Sequence, residues 1–201
     1  MAILIGCEHS GRIRDALIRL GYDAWSCDLL PSDSDFGPHL QCDVRTVLDW
    51  GWTGAIFHPD CTYLTNSALN VIYHPELYPN SLTGEARVDA MMEAMYFFLE
   101  LRAAPIPVIA VENPIPHYYA RMGIGYYDQL TQPWMFGDGE SKATCWWLKG
   151  LPKLTPTKIV SGRQGKTWKA SPGKDRWKKR SHIAQGMVDA IAAQWGSILA
   201  G

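Results

Sequence analysis

No stretch of this 201-residue chain stays apolar for the roughly 20 residues needed to cross a bilayer, and its start, MAILIGCEHS, has no basic segment ahead of an apolar one. A soluble cytoplasmic protein without membrane partners is expected. Cysteine is scarce and odd in number, five residues at irregular spacing with no CxxC and no paired Cys/His pattern, which excludes a disulfide scaffold and a structural zinc site. No metal is expected. The chain also lacks GxGxxG and a P-loop lysine, so it has no pyrophosphate cradle. Internal repeats and low-complexity linkers are absent as well. What remains, at 47% hydrophobic, is enough for one core and one domain spanning residues 1–201.

Positive charge is nearly missing from most of the chain. Residues 1–141 hold 7 Lys and Arg against 18 Asp and Glu, a balance of −11. Residues 142–180 reverse it, with 12 Lys and Arg against Asp175 alone, a balance of +11. Trp146, Trp147, Trp168 and Trp177 are interleaved with these cations, the composition of a surface that neutralises phosphates and stacks bases. DNA is the partner this implies, with Arg163, Lys166, Lys169, Lys174, Arg176, Lys178, Lys179 and Arg180 as the candidate contacts. Within that stretch Cys145-Trp146-Trp147-Leu148 reads as buried, because its aromatics are flanked by apolar residues.

Apolar runs at 2–6, 23–27, 54–57 and 108–111 alternate with helical patterns at 12–20, 44–50 and 85–103, and a last helix is expected at 183–199. That alternation predicts an α/β fold with a doubly wound, Rossmann-like parallel sheet. The helix at 12–20 would bury Ile13, Ala16, Leu17 and Leu20, and the cluster Met91, Met92, Met95, Tyr96, Phe97, Phe98 would pack on the sheet. Ligands of such sheets bind at the carboxyl ends of strands. The loops there carry Gly6-Cys7-Glu8-His9-Ser10-Gly11, then Asp28, then Gln41-Cys42-Asp43-Val44, then His58-Pro59-Asp60-Cys61-Thr62-Tyr63, and finally Glu112-Asn113-Pro114. Singly, each has a structural reading: Glu8 and Asp43 cap helices, Asp28 ends a strand, Cys61 is a buried thiol.

As an ordered set, ILIGCEHSG, WSCDL, CDVRTV, the Pro59-Asp60-Cys61 loop and AVENP resemble the motifs of the cytosine-C5 DNA methyltransferase family, in that family's order. RSHIAQGMVDAIAAQWG is similar in place to the family's last motif, and the whole resembles a compact phage-type member. The resemblance implies a methyltransferase fold with a cofactor and catalytic core at 1–113, a minimal basic and aromatic target-contacting region at 114–180, and a closing helix at 181–201. It implies S-adenosylmethionine as cofactor, held by Gly6, Glu8, Ser10, Gly11, Asp28, Asp43, Val44 and Pro59. It implies methyl transfer to C5 of cytosine in DNA, with Cys61 adding to C6, Glu112 binding the N3 and N4 edge and Asn113 holding the loop. The chain differs from the family in carrying Asp60, not Pro, directly before Cys61, and in lacking the family's Gln-x-Arg-x-Arg pattern, to which 161–164 offers only Arg163 and Gln164 in altered order. These differences leave two alternatives open: modification of free cytosine nucleotides, and an inactive relative that binds DNA.

Overall fold

The structure, a computed structural model, describes residues 2–161, 163–165 and 183–201. Seven strands form one sheet: β1 (Ile3–Gly6), β2 (Ala24–Asp28), β3 (His39–Gln41), β4 (Gly54–Phe57), β5 (Val108–Asn113), β6 (Gln129–Thr131) and β7 (Thr144–Lys149). Their order is β3-β2-β1-β4-β5-β7-β6. The first five are parallel, and β7 enters antiparallel to both β5 and β6. Five helices are described: α1 (Arg12–Arg19), α2 (Asn66–Tyr73), α3 (Gly84–Ala103), α4 (Tyr118–Ile124) and α5 (Gln185–Ala200). The α/β, doubly wound, Rossmann-like arrangement expected from the alternating runs is therefore present.

β1, β4 and the first four residues of β5 carry no polar side chain because both sheet faces are covered there. Leu4, Ala55, Phe57, Ile109, Val111 and Trp147 point to the face packed by α3 and α4. Ile3, Ile5, Ile56, Ala110 and Trp146 point to the face packed by α1 and α5. Gly54 lets α5 close on that face, since a Cβ there would lie 2.7 Å from the Leu199 carbonyl oxygen. Trp146 and Trp147 are both core residues, and the Trp146 indole N–H donates to Thr131 Oγ1 at 2.9 Å.

Two expectations need correction in detail. Leu20 falls beyond α1 and is 55% exposed, while Arg14 of the same helix is fully buried. On α3, Met91, Met95 and Phe98 face the core but Met92 and Tyr96 face outward. β6 and β7 lie within residues 114–180 and extend the sheet past β5. Among the described residues no helix is long and apolar enough to cross a membrane.

Candidate active site

Parallel register brings the candidate residues together. Gly6 is level with Cys27 on one side and Phe57 on the other, and Phe57 is level with Val111. One residue further, Asp28, Cys7, His58 and Glu112 form a row along the carboxyl edge of four adjacent strands. The His58 N–H donates to the Gly6 carbonyl at 3.0 Å, and the Glu8 N–H to that of Cys27 at 3.1 Å, extending the ladders into the loops. Because side chains alternate, Glu112 follows Val111 onto the α1/α5 face, and it pairs with Trp146 of β7. Glu112 and Asn113 are thus the last residues of β5 and not a loop after it.

A cavity of about 170 Å³ opens on this edge. Its wall includes Glu8, His9 and Ser10 from the turn after β1, Arg12 and Ile13 from α1, His58, Pro59, Asp60 and Cys61 from the loop after β4, Glu112 and Pro114, and Lys142 from the β6–β7 connection. Of the expected cofactor residues, Glu8, Ser10 and Pro59 lie on this wall, whereas Gly6, Gly11, Asp28, Asp43 and Val44 do not.

The turn after β1 is held from within. Cys7 has φ 57°, the only positive value for a non-glycine among the described residues, and Gly11 has φ 71° at the head of α1. The bend brings the Glu8 carboxylate back to accept from the Gly11 N–H at 3.1 Å and from the Ser10 hydroxyl. Glu8 therefore does cap the turn, while still facing the cavity. Asp28 accepts from the Leu30 N–H at 2.9 Å, and its other oxygen lies 3.9 Å from His9 Nδ1. His9 Nε2 is 3.5 Å from Asp33 Oδ2, so the ring stands between two carboxylates. Asp43 caps the short 3-10 turn Val44–Val47 and binds the Arg45 guanidinium through both oxygens, at 2.6–3.0 Å. Those bonds hold its carboxyl below the ordinary value of 3.8. Val44 is core, with Cγ2 2.8 Å from where a Cβ on Gly6 would stand.

On the catalytic side, His58 Nδ1 lies 3.5 Å from Glu112 Oε2, and the ring meets Trp146 edge-on with centroids 6.3 Å apart. Its Nε2 is buried and has no hydrogen-bond partner among the described residues. Asn113 is fully buried; its amide donates to the Pro114 carbonyl at 2.6 Å and its Oδ1 has no partner among the described residues. Burial first, then the Glu112 and Asp60 charges, push the Cys61 thiol up to about 12, and Lys142 acts in the opposite direction. Asp60 is exposed, and its Oδ1 accepts from the Thr62 N–H at 2.9 Å and the Thr62 hydroxyl at 2.6 Å.

Sequence reasoning missed His58 and Lys142. His58 stood within the quoted loop, but only strand register sets it level with Glu112. Of the candidate DNA contacts, Arg163 is exposed and lies 4.0 Å over the Trp134 ring. Lys166, Lys169, Lys174, Arg176, Lys178, Lys179 and Arg180 lie outside the described residues. Among those described, no group of three or more His, Cys, Asp or Glu forms a metal site.

No family model and no curated protein matches the chain. Among solved structures, it is similar to a protein assigned as a DNA modification methyltransferase encoded within an E. coli prophage, at 13% identity and TM-score 0.47, over 80% of this chain and 52% of that one. It is also similar to a mutant of Spodoptera frugiperda DNMT2, at 14% identity and TM-score 0.43, over 80% of this chain and 54% of that one. The chain spans about half the length of these solved structures.

Proposed function

We propose that the protein transfers a methyl group from S-adenosylmethionine to C5 of cytosine in DNA, through a bond between Cys61 Sγ and C6 of the base. One observation carries this reading: a thiol, Cys61, and a half-buried carboxyl, Glu112, share one small cavity beside an acid-bearing turn.

C5 of cytosine is too weak a nucleophile to attack a methyl group unaided. Addition of the Cys61 thiolate to C6 makes C5 enamine-like. Glu112 holds the N3 and N4 edge and stabilises the protonated ring as the sulfur adds. His58, 3.5 Å from the Glu112 carboxylate, fixes the direction in which that carboxylate faces the base. C5 then takes the methyl group, whose bond to the donor sulfur breaks to leave a neutral thioether; the C5 proton passes to water, and the ring electrons expel the Cys61 sulfur and free the enzyme. The base must leave its stack to reach Cys61, at a cost of a few kcal/mol on duplex DNA.

The residues present fit the methyl donor in part. Glu8 gives the wall the negative charge that a sulfonium needs, and Asp28 stands on the adjacent strand end, where a carboxylate takes ribose hydroxyls. The cavity is smaller than the roughly 300 Å³ of a drug-sized site, enough for a base and a methyl group, so the nucleoside would run outward along Asp28. Asp43 fits less well, because Arg45 already occupies both of its oxygens. Bound in this way, the donor supplies an electrophilic methyl group.

DNA as the polymer rests on the twelve cations of residues 142–180, more than a mononucleotide requires. A second reading, a fold kept for binding after its chemistry was lost, is favoured by Glu112 and Asp60 beside the thiol. The test supplies methyl-labelled S-adenosylmethionine with unmethylated DNA, or with cytosine nucleotides, and resolves the digested products by mass. Label in 5-methyldeoxycytidine from DNA, lost in Cys61→Ser with cofactor binding kept, is the expected result. Label only in the nucleotide tube makes the substrate monomeric. No label, with DNA still retarded in a gel, establishes the silent binder.

A further inference from the structure

A buried thiol among carboxylates is a poor nucleophile, because every neighbouring negative charge favours its protonated form. The charged and titratable groups around Cys61 come from five elements. Asp60 is its chain neighbour. Glu112 at the end of β5 lies against His58 at the end of β4. In the turn after β1, the Cys7 thiol reaches the same wall and is held protonated mainly by burial, Glu8 accepts from Ser10 and Gly11, and His9 stands between Asp28 and Asp33. From α1, Arg12 reaches the cavity wall but its guanidinium donates to Gln185 Oε1 at 2.9 Å. The fifth element is the β6–β7 connection, which brings Lys142 to the same wall.

We propose that Lys142 is the electrostatic partner of Cys61, a positioning residue that acts on the sulfur and not on the substrate, and that it allows the thiolate to form in this cavity. The connection that carries it is pinned on both sides: the Ser141 N–H donates to the Gln164 carbonyl at 3.0 Å, and the Gln164 N–H to that of Gly139 at 2.8 Å. Lys142 thus stands between the bridged Glu140–Gln164 pair and the first residue of β7, Thr144. It is also the first lysine of the chain. The carboxylates on this wall all come from the acidic part, so Lys142, from the basic part, opposes their effect at the sulfur. Of the charges acting on the Cys61 thiol, Lys142 is the one that favours ionisation.

The proposal deepens the reading of Cys61 as nucleophile, and its test needs neither cofactor nor DNA. The rate of alkylation of Cys61 by iodoacetamide is followed against pH by mass spectrometry of the Cys61 peptide, in the wild type, Lys142→Met and Lys142→Arg. Alkylation of Cys42 in the same samples serves as the internal reference for folding. The expected result is a Cys61 profile displaced to higher pH in Lys142→Met, with about a tenfold lower rate at pH 8 for each unit of displacement, and recovery of most of the rate in Lys142→Arg. Equal Cys61 profiles in the wild type and Lys142→Met would overturn it. Methyl transfer, assayed in parallel, tests the reaction separately: a Lys142-dependent alkylation profile without methyl transfer defeats the proposed function and leaves the Lys142–Cys61 pairing standing.

Discussion

Replacing Arg14 by Met should loosen the wall of the candidate cofactor site, at a cost that the structure lets one work out. The guanidinium is fully buried under the turn after β1. Nε donates to Asp15 Oδ1 at 2.7 Å, Nη1 to Ser26 Oγ at 2.8 Å and Ser32 Oγ at 3.2 Å, and Nη2 to the Ser34 carbonyl at 3.0 Å. Nη2 also lies 2.7 Å from Asp15 Oδ1. In Arg14→Met, Ser26 keeps its contact with His39 and the Ser34 carbonyl keeps the Ser32 hydroxyl. Asp15 keeps only the Ser34 hydroxyl at 2.5 Å and becomes a buried carboxylate without a cation. Stranding one member of a buried pair costs about 3–5 kcal/mol. With a urea slope of about 2 kcal/mol/M, the unfolding midpoint should fall by about 2 M. The double variant Arg14→Met/Asp15→Asn should recover at least about 1 kcal/mol of that, since the stranded charge is gone. A single-variant loss below about 1 kcal/mol, or a double variant as unstable as the sum of its parts, would refute the reasoning. The loop that Arg14 holds also carries Asp33, whose N–H donates to the His9 carbonyl at 2.8 Å, so the damage should reach the cavity edge.

Asp28→Ala should weaken S-adenosylmethionine binding by about tenfold to a hundredfold in calorimetry, the worth of a charged hydrogen bond, with DNA affinity unchanged; a loss of DNA binding alone would mean that the end of β2 serves another ligand. His58→Gln should lower kcat about tenfold and change its pH profile while KM for DNA stays near the wild-type value, because Glu112 loses the ring 3.5 Å from it. Equal kcat and pH profile would leave His58 as mere packing against Trp146. His117 heads α4, accepting from the Ala120 N–H at 3.1 Å and bonding the Tyr63 carbonyl at 3.0 Å, and burial holds its imidazole below the ordinary value of 6.5. The unfolded chain then binds more protons in the window below pH 6.5, so stability is complete above that value and falls as pH drops through the depressed folded value. Thermal melts between pH 7 and pH 5 should show a Tm fall that is smaller in His117→Asn, which keeps a capping side chain but cannot titrate; identical falls would remove His117 from the account.

Elements buried on both faces were legible in the sequence because burial writes continuous apolar runs: β1, β4 and β5 are ILIG, GAIF and the start of VIAVEN. The short elements were not. β3 and β6 are three residues each, HLQ and QLT, too brief for any period, and they exist because β2 and β7 offer them ladders. β7 was hidden for another reason: its two tryptophans were legible as buried, but TCWWLK sits in a basic, proline-bounded stretch and pairs backwards with β5. Arg14 defeats helical periodicity outright, since its burial is supported by Asp15 beside it and by polar partners from β2 and the loop after it. The same division runs through the site. Cys61 and Glu112 stood out by residue type and order, whereas the relation between His58 and Glu112 is a product of parallel register across about fifty residues. Lys142 required the chain to fold back through two strands that the sequence did not announce.

The proposed chemistry requires opposite signs of charge in one place, a cationic methyl donor and an anionic nucleophile, and the segregation of charge along the chain offers a way to keep them apart. The donor side is built from the acidic part: Glu8 on the turn after β1 and Asp28 at the end of β2. The nucleophile side also inherits carboxylates from that part, but each is engaged, Asp60 by Thr62 and Glu112 beside His58. The basic part then contributes Lys142 to the same wall. If this division is what makes the site work, the two sides separate by readout: removing an acid from the turn or from the end of β2 should act first on cofactor affinity, and removing Lys142 first on the reactivity of the thiol. A site in which either change moved both quantities equally would be held together by packing, and not by the placement of its charges.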